Sequence, residues 1–204
     1  MSLEGGARRP TWCRRRESRD ERRARRSEID DPAAVLAAAA RFLEARPRSV
    51  VEARRHLLGA GYRPDLVEGA VSRLIELGIL DDAAFAAAWV ASRDRAHPRG
   101  ERALRSELAR LGVERELVED VLGERAEPAQ RAGGGEGDEP AVGPDERAAA
   151  ALLERRRAAL ERIAEPRIRR QRAFALLARN GFDPETASRA AERFARGVEP
   201  GDDD

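Results

Sequence analysis

Few side chains in this chain could do bond-making chemistry, and no familiar constellation closes around them. His56 and His97 are its two histidines and Cys13 its one cysteine. A structural zinc site takes four nitrogen, sulfur or oxygen ligands, and a thiol nucleophile needs a base within hydrogen-bond reach. Cys13 stands far along the chain from either histidine, among arginines. Asp81-Asp82 could suggest a metal or an acid pair. The two stand where a helical run begins, and there a carboxylate already has work in accepting free backbone N–H groups. Gly133-Gly134-Gly135 could suggest a phosphate loop, but no strand pattern precedes it and a chain without lysine has no Gly-Lys-Ser/Thr. His97 precedes Pro98 where two similar turns carry Arg46 and Glu165, so the position reads as a solvated turn. The expectation is a protein without catalytic residues, cofactor or metal.

Arginine is the remaining functional group. All 39 basic residues are arginine, in keeping with an alanine-rich, compositionally biased chain. Its planar fork offers several donors to an oxyanion where lysine offers a point charge. The formal net charge of +1 hides an uneven distribution. Residues 147–196 hold thirteen arginines against six acids, and residues 1–30 are also basic, whereas 124–146 and 197–204 are acidic. Counted from the prolines of three Pro-Arg turns, Arg99, Arg102 and Arg105 recur at positions that share a helix face, as do Arg167 and Arg170. Arg169 and Arg172 widen the second row, and Arg93 and Arg95 lie beside the first. These nine are the candidate binding residues. The competing reading is a solvated face balanced by Glu101, Glu107 and Glu165.

The elements that would carry these rows are helical throughout. Asp31-Pro32 reads as an N-cap followed by proline at the first helical position, and Val35, Leu36, Ala39, Phe42 and Leu43 keep helical spacing. Ser49 to Glu52 reads as a capping box opening a helix that stops at Gly61. A third helix starts near Pro64 and ends at Gly78. Phe85 and Trp89 fall one turn apart in the next, before His97-Pro98 breaks it. The pattern then repeats: Pro47, Pro98 and Pro166 are followed 14, 14 and 15 residues later by Gly61, Gly112 and Gly181. Each such helix leads into another, the last capped by Asp183-Pro184. Tandem three-helix units follow from this period. Tyr62, Val113 and Phe182, just past the glycines, are expected to fold back onto the helices they end.

The run Gly-Ile-Leu-Asp-Asp-Ala-Ala-Phe-Ala-Ala-Ala-Trp-Val from Gly78, with Pro98-Arg99-Gly100 and Leu104 to Gly112 after it, resembles the central signature of the RecX family of RecA regulators. The likeness extends upstream through Ser49 to Tyr62 and, more weakly, downstream to about Phe194. It implies a protein that binds RecA and its filament on single-stranded DNA and restrains ATP hydrolysis, strand exchange and filament growth in recombination and repair. The residues carrying the likeness, Leu80, Phe85, Trp89, Leu104 and Leu108, are fold residues and assign no contact. Taken without the resemblance, the arginine rows equally suit a sequence-independent DNA-binding protein that acts without RecA.

Aromatics at 4% and charged residues at 38% argue against one dense core and for small Ala- and Leu-packed helices. The expected fold is all-α, three tandem three-helix units in an elongated, curved array. Its expected divisions are a disordered arm over 1–30, units at 31–79 and 80–124, a flexible linker over 125–144, a unit at 145–196 and an acidic tail at 197–204. Unit three should swing on that linker. A lone cysteine, no apolar run approaching the roughly 20 residues that span a bilayer and no signal-peptide core lead us to expect a cytoplasmic protein away from membranes, and a monomer is the expected state.

Overall fold

Among the described residues four glycines, Gly61, Gly78, Gly112 and Gly181, take positive φ, and they set the course of the chain. Each closes a helix in the left-handed region that side chains avoid. At Gly78 the N–H reaches the Ile75 carbonyl at 2.9 Å and Ile79 N–H reaches Leu74 at 2.9 Å, the paired bonds of a Schellman turn. The computed structural model describes residues 17–132 and 142–197, and their regular structure is entirely α-helical. Trp12, Cys13, the glycine triplet and the acidic tail lie outside the described residues.

The first unit comprises α2 (Pro32–Glu44), α3 (Val50–Ala60) and α4 (Pro64–Glu76), preceded by α1 (Arg19–Ser27). The second comprises α5 (Asp82–Ala96), α6 (Glu101–Leu111) and α7 (Arg115–Ala132), and the last α8 (Pro144–Arg155), α9 (Arg157–Glu161), α10 (Pro166–Arg179) and α11 (Pro184–Arg196). Each has its own core. Val35, Leu57, Val67 and Leu74 meet in the first; Phe85, Val90, Leu104, Leu108 and Val118 in the second; Leu153, Leu177, Phe182 and Phe194 in the third. Burying each such side chain is worth roughly 1.5–3 kcal/mol, so all three cores offset a large part of the chain entropy.

The inward stripe of each central helix is best counted back from its closing glycine. Four residues before it stand Leu57, Leu108 and Leu177; eight before, Ala53, Leu104 and Ala173; all six are buried. Twelve before stand Ser49, Gly100 and Arg169, again buried. Val113 and Phe182 cover the helices they follow, and Tyr62 is half-buried against its core. At the fourth turn Leu80 takes that place, which leaves Ile79 exposed beside Ile75 and Leu77.

Several expectations are corrected. The stretch expected to be disordered contains α1, opened by a capping box in which Ser18 accepts from Glu21 N–H while the Glu21 carboxylate accepts from Ser18 N–H. Arg23 packs on Gly61, where a Cβ would lie 2.5 Å from its Cγ, and Arg26 stands over Tyr62. The linker begins later than residue 125, because α7 continues to Ala132. The third unit has four helices, since the backbone turns out of helical geometry at Arg156 (φ −107°, ψ 4°).

The units are also tied to one another rather than hinged, by one joint used twice. The start of a central helix docks on the closing glycine of the next unit. Ser49 Oγ–H donates to Leu111 carbonyl, Val50 N–H donates to Asp82 at 2.8 Å, and Val51 fills the space a Cβ on Gly112 would need. Gly100 N–H donates to Asn180 carbonyl at 3.0 Å, and Ala103 sits against Gly181. Asp81 and Asp82 therefore divide their work: Asp81 caps α5 through Ala83 and Ala84 N–H, and Asp82 caps α3 of the unit before.

Candidate interaction surface

The nine candidate arginines do not form continuous rows. Arg93 stacks 4.3 Å from the Trp89 ring centre and donates to Glu107 at 2.7 Å; Trp89 Nε1–H donates to the same carboxylate at 3.0 Å. Arg99 lies 3.4 Å from the other Glu107 oxygen and also donates to the Asn180 side chain across the joint. Arg105 is held by Glu101 and by both oxygens of Glu119 at 2.8 and 2.9 Å. These carboxylates hold the Arg105 guanidinium above its ordinary pKa, against a smaller opposing effect of burial. Arg93, Arg99 and Arg105 thus have internal anionic partners, and their charge is largely neutralised locally.

Arg169 is the clearest correction. It is 6% exposed and donates from Nε to Ile163 carbonyl at 3.1 Å and from Nη2 to Ala164 carbonyl at 3.3 Å, bracing the turn before α10. The proline-to-glycine distance is one residue longer in this unit, and one residue turns a helix by about 100°. Counting from the proline therefore set Arg169 on the outer face; counting from Gly181 puts it on the inward stripe.

Four candidates face solvent without an ion pair or side-chain hydrogen bond among the described residues: Arg95, Arg102, Arg167 and Arg172. Arg95 contributes its carbonyl, with that of Ala96, to the guanidinium of Arg155. Arg170 is exposed and loosely paired, 4.0 Å from Glu192.

Arg105 belongs to a repeated clamp. In the first unit Arg54 grips Glu68 through Nε at 2.8 Å and Nη2 at 2.9 Å, joining α3 to α4 with the geometry by which Arg105 grips Glu119 across α6 and α7. Both arginines stand seven residues before the closing glycine. In the third unit those places hold Phe174 and Ser188, and the seam between α10 and α11 opens into a groove lined by Arg167, Arg170, Phe174, Glu192 and Arg196. Phe174 and Arg196 were not singled out by sequence. The signal that could have found Phe174 is its place in the clamp register.

Among the described residues no group of three His, Cys, Asp or Glu side chains is set to hold a metal, and no helix is long and apolar enough to cross a membrane. Asp82 sits against Asp81 and Glu114; burial, opposed by the Val50 N–H bond, raises its pKa above the usual carboxylate range. Its role is the joint already described.

Residues 81–122 match the model of the second three-helix domain of RecX. The regulatory protein RecX of Thermobifida fusca is 33% identical over 161 residues, covering 78% of each chain. That of Mycobacterium leprae is 34% identical over 165 residues, covering 78% of this chain and 87% of its own. The chain belongs to the RecX family. It also matches RecX of Mycobacterium sp. (strain JLS) at 38% identity over 91 residues, 45% of this chain, and so spans about half the length of that relative. The crystal structure of RecX from Lactobacillus salivarius superposes with a TM-score of 0.64, covering 81% of this chain and 97% of that one at 16% identity. The tandem helical fold of RecX is therefore the fold of this chain.

Proposed function

We propose that this chain regulates RecA: it binds RecA and the RecA filament on single-stranded DNA and restrains ATP hydrolysis, strand exchange and filament growth from the cytoplasm, as a monomer. Family membership across 78% of the chain supports this reading. The serial joints support it too, because a stack locked at successive closing glycines suits contact with a repeating assembly. The outward cations Arg95, Arg102, Arg167, Arg170 and Arg172 supply a surface for phosphates or acidic side chains.

The test follows ATP hydrolysis by RecA preassembled on single-stranded DNA while the chain is titrated in, with binding to bare DNA measured in parallel. Hydrolysis falling well below one chain per RecA is the expected result. An unchanged rate at equimolar chain overturns it. The same cations favour a second reading, sequence-independent DNA binding without RecA, which predicts no effect on hydrolysis and tight, steeply salt-sensitive binding to DNA.

A further inference from the structure

The third unit departs from the first two where the clamp is missing. In α3–α4 and α6–α7 a bidentate arginine–glutamate pair closes the seam between helices. In α10–α11 the seam holds Phe174, 37% exposed, with Ser188 across from it. Ser188 donates to Glu192 at 3.3 Å, and both line the recess with Phe174. Two adjoining open recesses of about 530 and 320 Å³ share Arg167, Arg170 and Glu192. Three arginines, Arg167, Arg170 and Arg196, line the groove against one acid, Glu192, which lies 4.0 Å from Arg170. Of these only Arg170 spends any of its charge on an ion pair among the described residues. The opening therefore offers an accessible aromatic ring among cations.

That combination selects its ligand. A phosphate or an acidic peptide would be satisfied by the arginines and has no use for a ring face. A duplex has its base faces stacked away. Single-stranded nucleic acid presents both phosphates and free π-faces, and base stacking on aromatic side chains tolerates any sequence. We infer that the α10–α11 groove binds single-stranded nucleic acid, one base stacking on Phe174 and the flanking phosphates meeting Arg167, Arg170 and Arg196. The inference rests on reading the outward arginines as an anion-facing surface, and it gives that surface its ligand. It needs no RecA in its test.

The experiment uses the full chain and a labelled oligothymidylate of about 12 nucleotides, a length within the usual span of single-strand sites. Phe174→Leu keeps apolar volume in the seam and removes the ring. It should raise Kd about tenfold while leaving the slope of log Kd against log salt unchanged, because stacking releases no counterions. Arg167→Gln with Arg170→Gln should instead flatten that slope, by roughly 0.7 for each phosphate that is no longer neutralised. Thermal melts check that every variant is folded. Wild-type chain that fails to bind the oligonucleotide at low salt overturns the inference, and so does a folded Phe174→Leu chain that binds as well as wild type. Heparin competing equally against both proteins would assign the groove to polyanions in general and overturn it too. RecA hydrolysis measured on the same variants fails or succeeds separately, so a wrong partner and a wrong groove give different results.

Discussion

Gly100 donates its N–H to the carbonyl of Asn180 at 3.0 Å, and the approach is so close that a Cβ on Gly100 would lie 2.3 Å from the Gly181 carbonyl oxygen. Its φ of −74° is open to any residue, so glycine is required there by space and not by conformation. Gly100→Ala should therefore destabilise the junction of the second and third units by about 1–3 kcal/mol, the usual cost of forcing atoms into a packed site. Gly69→Ala is the control. Gly69 lies inside α4 with nothing within 4 Å of a new Cβ, so that change should stabilise the chain by about 0.5–1 kcal/mol. Urea unfolding of both variants checks the pair, and equal midpoints would contradict the joint.

Arg125 fastens the same junction through Asp145, whose other oxygen accepts from Glu101 N–H at 3.0 Å. It reaches Asp94 at 2.8 and 3.0 Å and Asp145 of α8 at 2.7 Å, with its side chain 9% exposed. Burial pulls its pKa down, but the two carboxylates outweigh that and hold it raised. Arg125→Met leaves the carboxylates without their shared partner and should cost about 2 kcal/mol. The melting midpoint should then fall, whereas an unchanged midpoint would mean that the backbone contacts alone hold the units together.

His56 gives the fold a pH dependence on its acid side. Its ring stacks on Phe42 with centroids 3.7 Å apart and planes at 4°. The residue is largely exposed, yet partial burial, then Arg26 and Arg48, hold its pKa below the usual histidine range. The folded chain thus binds fewer protons than the unfolded one as pH falls through the unperturbed value of about 6.5. The stability from neutral His56 is full above that value and is lost as pH drops through the folded pKa. His56→Phe keeps the stack and removes the titration, so its melting midpoint should fall less than that of wild type between about pH 7.5 and 5.5. Parallel curves would remove His56 as the titrating group.

Helices and caps were legible because they depend on neighbours in sequence. Ser49 with Glu52, Asp31 before Pro32 and the closing glycines all lie within a turn of what they control. The joints were not, because Ser49 and Leu111, or Gly100 and Asn180, meet only after the units stack. Arg169 shows the same limit on one helix: one extra residue between Pro166 and Gly181 changed which face it occupies. Helix α1 was hidden by composition. Its arginines suggested a solvated arm, yet the Ser18 capping box and the open end at Gly61 give it a start and a docking place.

Arg102 and Arg105 separate surface from scaffold within one helix. Both come from the same predicted row, yet Arg102 has no ion pair among the described residues and Arg105 binds Glu101 and Glu119. The Arg105 clamp is part-exposed, so Arg105→Gln should cost only about 0.5–1 kcal/mol, and Arg102→Gln within about 0.5 kcal/mol of nothing. If the outward cations meet the filament, Arg102→Glu with Arg172→Glu should weaken the restraint of RecA hydrolysis with an unchanged melting midpoint. Arg105→Gln should lower the midpoint and leave the restraint intact at temperatures where the chain stays folded. The reverse pattern, with Arg105 governing hydrolysis and the Arg102 and Arg172 reversals silent, would move the interface off these outward arginines.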